Sequence, residues 1–333
     1  MRLSAMGDVA MTVPVLRAFV KQYPEVKITV ISRPFFKPFF DGIPNLDFFA
    51  FDEKERHKGF SGLLRLFQDV KKLKIDAFAD LHNVLRSKIV SLLFALSGKK
   101  RATVDKGREG KKELTRAENK IFKQLPTMFS RHAKVFEELG FPLDLSNPTF
   151  PEKAKLSSDI SEIIGNQNQK LIGIAPFAQY DSKVYPIDLM TEVIAKLAEN
   201  KSYKILLFGG GNKEIEILDS LSKPFENVIN MAGKIKFQQE LQLISNLDVM
   251  LSMDSGNAHI AAMLGVKVIT LWGATHPYAG FLPFNQTMEN ALVSDRNQYP
   301  KLPTSVYGNR IVEGYEDAMR SISPEKVVSS IQS

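Results

Sequence analysis

The sequence predicts an α/β protein made of two doubly wound, parallel-sheet domains, residues 1–150 and 151–333, facing each other across a cleft. Three observations lead there. Short apolar runs alternate with segments of helical period along the whole chain, as parallel sheets covered by helices require. A length of 333 residues suits two domains of about 150 each. Residues 140–156 are rich in Pro, Ser and Asn and read as a linker between two series of alternation.

The first series opens on Arg2-Leu-Ser-Ala-Met-Gly-Asp-Val9, with a turn at Gly7-Asp8 and a helix over 9–23. Strands follow at 26–31, 47–51, 77–81 and 101–104. A short helix with Phe35, Phe36, Phe39 and Phe40 on one face, and helices at 60–73, 86–96 and 129–139, lie between and after them. The run at 89–96 is the longest apolar stretch, yet it falls far short of the roughly 20 residues of a membrane span and suits a core helix. Residues 99–123 are dense in Lys, Arg and Glu, which predicts a mobile loop and a solvated helix, either plain surface or a flexible flap over an anionic acceptor.

The second series has strands at 170–175, 203–208, 228–230, 249–253 and 268–272. Its helices fall at 186–200, 214–221, 237–246 and 258–264, and a last one at 324–331 is expected to cross back to the first domain. Two turns stand out. Gly209-Gly-Gly211 follows a strand and opens a helix, and Asp254-Ser-Gly-Asn257 does the same. A strand that enters a helix through such a turn leaves the first helical N–H groups unpaired, and these seat phosphate well. In sheets of this kind ligands bind beyond the carboxyl ends of the strands.

Composition narrows the function. The chain has no cysteine, so disulfides and thiolate metal sites are excluded. The N-terminus has no apolar leader with a cleavage site, and a cytoplasmic protein is expected. Residues 1–150 hold 27 Lys and Arg against 17 Asp and Glu, whereas residues 151–333 hold 17 against 20. The first domain therefore meets something anionic. Basic residues are not interleaved with aromatics on strands, so nucleic acid is a poorer fit than a membrane surface or an anionic glycolipid.

Three blocks in order resemble glycosyltransferase family 9, the ADP-heptose:lipopolysaccharide heptosyltransferases. They are Arg2-Leu-Ser-Ala-Met-Gly-Asp-Val9; Gly209-Gly-Gly-Asn-Lys-Glu214 with Met231-Ala-Gly-Lys234; and Asp254-Ser-Gly-Asn-Ala-His259 with Leu271-Trp-Gly-Ala-Thr-His-Pro277. The resemblance implies the GT-B architecture of two facing Rossmann-like domains, with acceptor on the first and nucleotide-sugar on the second. It also implies an inverting transfer from a nucleotide-sugar, ADP-heptose above all, to a lipopolysaccharide inner-core acceptor, with no cofactor and no metal. The expected place of work is the cytoplasmic face of the inner membrane, as a peripheral protein.

Such a displacement needs a base for the acceptor hydroxyl and positive charge for the departing diphosphate. Asp8 matches the family's base; its competing reading is a helix cap. Lys183, in Gln179-Tyr-Asp-Ser-Lys-Val-Tyr-Pro186, matches the phosphate-binding lysine. Ser255, Gly256 and Asn257 are expected to offer N–H groups and a hydroxyl, His259 to place the phosphate or sugar, and Asp254 to accept from sugar hydroxyls. Asp254 as a cap and His259 as part of the core wall is the competing view. Glu214 is assigned to the ribose and Met231, through its backbone, to the base. Gly7, Arg33, Arg86 and Ser87 are the candidate acceptor contacts, since an arginine fork suits a sugar carboxylate.

Relatives commonly carry an apolar first strand ahead of the first block, whereas here Met1 alone precedes it. The central strand of the first sheet is therefore expected to be nearly absent, with the native start upstream. Two further functions stay open on the residues: a sugar-nucleotide epimerase of the same fold, and a relative that binds nucleotide or glycan without turnover.

Overall fold

The computed structural model describes residues 1–165, 168–310 and 312–333. The chain forms two compact units, one of residues 1–108 and 126–150, the other of residues 109–125 and 151–333.

Unit 1 begins with α1 (Met6–Ala10) and α2 (Thr12–Gln22). A single helix was expected here; Pro14 lies in the first turn of α2, where its missing N–H breaks the ladder behind it. Then come β1 (Ile28–Ser32), a 3₁₀ turn at Pro34–Phe40, β2 (Leu46–Ala50) and α3 (Gly59–Lys71). After these follow β3 (Ala77–Asp80), α4 (Leu85–Leu96) and β4 (Lys100–Thr103); α5 (Arg108–Thr115) then falls almost wholly in unit 2, and α6 (Met128–Glu138) is again in unit 1. Leu63, Leu66 and Val70 recur at helical spacing on α3 and bury against Phe78 of β3 and Val90 and Phe94 of α4. Phe78 and Phe94 stack with ring centres 5.1 Å apart.

The strands of unit 1 pair only two by two, β1 with β2 and β3 with β4, all parallel. Residues 1–3 lie between β1 and β3. Arg2 N donates to Ile31 O at 3.1 Å and Leu81 N donates to Met1 O at 3.2 Å. The Met1 ammonium donates to Ala79 O at 2.7 Å, and burial lowers its pKa from 8.0 to about 6. Next to Met1 lies a cavity of about 550 Å³ lined by residues 27–31 on one side and 75–79 on the other. The facing edges of β1 and β3 thus border a slot of one strand's width instead of pairing with a full strand.

Unit 2 contains α7 (Ser158–Ile164), β5 (Lys170–Ala175), α8 (Ile187–Ala198), β6 (Tyr203–Leu207), α9 (Asn212–Ser222) and β7 (Val228–Asn230). It continues with α10 (Phe237–Ile244), β8 (Val249–Met253), α11 (Gly256–Met263), β9 (Lys267–Trp272), β10 (Ala291–Val293) and α12 (Pro324–Gln332). Six parallel strands form one sheet in the order β10-β9-β8-β5-β6-β7. Every residue of β8 is buried, which is why that strand reads as an unbroken apolar run. Strand order reverses between β5 and β8, so the loops that leave these two strands diverge and open a crevice.

Two expectations change here. The terminal helix α12 packs within unit 2, where Val327 and Ile331 join the same core as the α8 residues Val193 and Leu197. The basic stretch expected as a solvated flap is anchored: residues 109–125 belong to unit 2. Leu114 is fully buried and the Lys111 ammonium lies 4.1 Å from the centre of the Phe281 ring. Lys120 Nζ donates to Leu114 O and Pro303 O, and Leu125 N donates to Tyr278 O. Phe122 is sandwiched by the Arg296 guanidinium, 3.5 Å from its ring centre, and by His276 and Tyr278. The charged composition conceals three anchors, Lys111, Leu114 and Phe122, that are enough to dock the segment.

Candidate functional site

The candidate residues fall in two clusters, one in each unit. In unit 1, Asp8 is the third residue of α1. Its Oδ2 accepts from Ala5 N at 3.2 Å, so the carboxylate reaches back over the helix start rather than capping a helix that begins after it. Arg2 forms an ion pair with the same oxygen. The guanidinium is itself fixed: its Nε donates to Ser4 O and its Nη1 to Leu81 O, both at 2.8 Å. Arg2 is 6% exposed and Asp8 30% exposed, so a buried cation orients a carboxylate that solvent reaches. Gly7 lies beside it within α1.

The surroundings of Asp8 are poor in other titrating groups at neutral pH. Burial, then Arg2 and Lys106, pull the His82 pKa down to about 4. Burial, then Arg2, pulls fully buried His132 down to about 3. Both rings are neutral, and Lys106 is lowered first by burial and then by Arg2.

Arg33 and Arg86 are brought together, and by a residue the sequence did not flag. Glu53 bridges them, with Arg33 Nη2 at 2.6 Å from Oε2 and Arg86 Nη1 at 2.5 Å from Oε1. The Arg86 hydrogen bond is the main reason the Glu53 carboxyl stays below its usual range. Arg33 and Arg86 thus hold a carboxylate between two guanidinium groups, the pairing such forks favour. Ser87 is buried; its hydroxyl donates to Asp80 Oδ2 at 2.8 Å and fixes the turn that starts α4.

In unit 2 the cluster sits at the switch point. β5 leads to the 3₁₀ turn Asp181–Lys183, and β8 leads to Asp254 and Ser255, the cap of α11. Lys183 Nζ lies 3.2 Å from Asp254 Oδ2, although 71 positions separate the two residues. Thr275 Oγ1 donates to the same oxygen at 2.8 Å. Thr275 stands in the Leu271–Pro277 block, yet nothing along one dimension pairs it with Asp254. Two glycines hold the lysine turn in place. A Cβ on Gly273 would stand 2.4 Å from Ser182 O, and one on Gly308, at φ +86°, would stand 2.6 Å from Lys183 Cγ.

Asp254 and His259 are buried, whereas Ser255, Gly256 and Asn257 are partly open. The open part of the corner is therefore the N-terminal turn of α11, whose first N–H groups have no carbonyl partner within the helix. An ammonium beside such a helix start can neutralise a diphosphate from two sides.

The second turn lies one strand further out. Glu214 Oε2 accepts from Gly210 N at 2.7 Å, so the carboxylate steadies the glycine turn. Met231 is buried, with its N–H donated to Leu207 O and its carbonyl accepting from Lys234 N. Among the described residues no group of three or more His, Asp or Glu side chains gathers as a metal cage would require.

Comparison with known proteins identifies the family and the fold. The model of glycosyltransferase family 9 (heptosyltransferase) matches residues 63–309. The lipopolysaccharide core heptosyltransferase OpsX of Haemophilus influenzae is 26% identical over 287 residues, which cover 83% of this chain and 79% of that one. Among solved structures, a family 9 glycosyl transferase from Veillonella parvula superposes with a TM-score of 0.75 at 20% identity, covering 99% of this chain and 94% of that one. The ADP-heptose lipopolysaccharide heptosyltransferase II of E. coli gives a TM-score of 0.67 at 19% identity, covering 100% of this chain and 98% of that one. At such identities the structural likeness speaks for the fold.

Proposed function

Given that the chain belongs to glycosyltransferase family 9 and is a glycosyltransferase, we propose that it moves a heptose from ADP-heptose, with inversion, onto a lipopolysaccharide inner-core acceptor. The relative OpsX, named for heptosyl transfer to the lipopolysaccharide core, supports the acceptor class. In this reading Asp8 takes the proton of the acceptor hydroxyl as that oxygen attacks the anomeric carbon. The C–O bond to the diphosphate breaks on the opposite face, and ADP leaves with the electron pair. Lys183 and the first N–H groups of α11 meet the charge that develops on the diphosphate. The Ser255 hydroxyl and the Asn257 N–H extend that cradle, and Gly256 lets the phosphate approach closely. Asp254, anchored by Lys183 and Thr275, and His259 orient the sugar, while Glu214 and Met231 border the place given to the nucleoside.

Arg33 and Arg86, with Gly7 beside Asp8, receive the acceptor's carboxylate in exchange for Glu53. Ser87 supports them through the turn at Asp80. An acceptor of this kind is an anionic glycolipid, so the protein works as a peripheral protein at the cytoplasmic face of the inner membrane. The chemistry calls on no cofactor, metal or nucleic acid.

The observation that carries the reading is the Lys183–Asp254–Thr275 cluster at the switch point, beside an open helix start. The test is transfer from ADP-heptose to a Kdo-bearing acceptor, with the anomeric configuration of the product read by NMR. Asp8→Asn is expected to lower kcat by about 10²- to 10⁴-fold, with ADP affinity retained. Undiminished transfer by Asp8→Asn, or a product of retained configuration, would remove Asp8 from the mechanism.

A further inference from the structure

α4 departs from the pattern of a surface helix. Its buried side carries Ser87, Val90, Ser91 and Phe94, and its outer side carries the large apolar groups Leu85, Leu92 and Leu96 together with Arg86 and Lys88. These three fall at i, i+7 and i+11, a single stripe. They are strongly exposed, Leu85 at 75% and Leu96 at 77%. The neighbouring helix exposes apolar side chains of its own. α3 meets α4 through Phe67 and Phe94, whose ring centres are 4.9 Å apart, and Phe60 and Leu64 share the Phe67 face of α3 at i−7 and i−3. Phe60 is 67% exposed. Half of the exposed large apolar side chains among the described residues lie on this helix pair.

The charge around this ridge has one sign. Residues 58–101 hold ten Lys and Arg against three Asp and no Glu, and one of the three, Asp80, is buried. Lys58, Arg65, Lys88 and Lys100 are exposed on or beside the two helices. Apolar side chains ringed by cations match the layered chemistry of an anionic bilayer surface, with acyl chains beneath phosphate headgroups. Twelve residues of helix span only about 18 Å, so α4 can lie on a bilayer but cannot cross it.

We infer that the outer face of α3 and α4 is the surface by which the protein docks on an anionic lipid bilayer. Leu85, Leu92 and Leu96 enter the headgroup boundary while the surrounding lysines and arginines face lipid phosphates. Arg86, one residue from Leu85, then stands at the level where a glycolipid displays its first sugars. That placement rests on the glycolipid reading of the acceptor, whereas the docking itself is measured without any transfer.

The test is sedimentation of the full chain with vesicles of phosphatidylglycerol and phosphatidylethanolamine, compared with vesicles of phosphatidylcholine alone. Binding to the anionic vesicles is expected, weakening as salt rises. The double variant Leu92→Gln/Leu96→Gln should bind them about tenfold more weakly or worse. Lys88→Glu/Lys100→Glu should weaken binding similarly and remove the salt dependence. Both variants should melt like the parent and keep its rate on a water-soluble acceptor fragment. Parental vesicle binding by the leucine variant would overturn the proposal. So would a dimer in light scattering that Leu92→Gln/Leu96→Gln turns into a monomer, because a second copy would then be what covers the ridge.

Discussion

The two units solve the same problem, a parallel sheet covered by helices, to different degrees. In unit 2 six strands pair without interruption, and the reversal between β5 and β8 falls where Lys183 and Asp254 meet. In unit 1 four strands pair two by two across a slot that holds a buried ammonium and a cavity of about 550 Å³. Asp8 stands next to the better-defined end of that slot, held by Arg2, whose backbone spans from β1 to the end of β3 through bonds to Ile31 and, by its side chain, to Leu81. The anion seat is therefore built on a continuous sheet, whereas the proposed base depends on a few contacts made by residues 1–5. The two sets of residues should therefore fail in separable ways: by chemistry in unit 2 and by loss of structure in unit 1.

The largest effect should come from the unit 2 seat. Lys183→Ala removes the ammonium and leaves Asp254 with Thr275 as its remaining named partner. We predict a fall in kcat of about 10²- to 10³-fold, the usual loss when one preorganised group facing developing charge is deleted. Some fall in melting temperature should accompany it, because buried Asp254 loses its counter-ion. A variant that loses stability but keeps kcat would mean that the lysine is there to hold the fold.

Acidification should act first on unit 1. The folded pKa values of His82 and His132, about 4 and about 3, lie below the ordinary 6.5, so the unfolded chain binds protons that the folded unit refuses. The stability they contribute is complete above pH 6.5 and is lost as pH falls towards 4 and then 3, by about 3 kcal/mol or more for the pair. In unit 2 His276 is lowered likewise, to about 4, by burial and then Arg296. The only tryptophan, Trp272, lies in unit 2. Amide exchange in residues 1–108 should therefore rise at a higher pH than the one at which Trp272 fluorescence changes. Simultaneous loss would show that the two units unfold as one.

Filling the slot should have the opposite sign. Four or five apolar, β-branched residues fused ahead of Met1 would place a strand between β1 and β3 and move the ammonium out of the interior. We expect a gain of about 2 kcal/mol or more, seen as a rise in the melting temperature of several degrees. An extension of the same length built from Gly and Ser serves as the control. Equal gains from both would point to removal of the buried charge alone, and no gain from the apolar one would mean the slot accepts no strand.

The contrast between the units also explains what the sequence made readable. Buried parallel strands such as β8 are continuous apolar runs, and Asp254-Ser-Gly-Asn257 follows one directly, so the corner could be located from its residues. The approach of Lys183 to Asp254 depends on β5 lying beside β8, a matter of strand order that spacing along the chain does not encode. Glu53 illustrates the same limit in unit 1: it faces Arg33 and Arg86 only because β1, β2 and the start of α4 converge. Residues 89–96 suited a core helix because hydrophobicity says that a segment is apolar but not which side is covered; Phe94 is buried and Leu96 is not. The 109–125 segment misled in the opposite direction, since its Lys and Arg residues outnumber the side chains that anchor it.

That segment gives the smallest and most local test. Phe122 is only partly buried, but it holds a guanidinium over its ring and packs against the His276 and Tyr278 rings. Phe122→Ala should cost about 1–2 kcal/mol, the loss of modest apolar area together with one cation–π contact. The cost should fall on the segment rather than on the sheet. Lys120, whose pKa burial and then Arg296 lower to about 8, would return towards the ordinary lysine value as its shelter opens. Limited trypsin digestion reads this directly, because Lys112, Arg116, Lys120 and Lys123 are all potential cleavage sites once the strap lifts. Faster cutting there, with Trp272 fluorescence unchanged, would show that a strap drawn from the first half of the sequence is held on unit 2 by one aromatic anchor. An unchanged digestion pattern would shift that role to Leu114 and the Lys111–Phe281 contact.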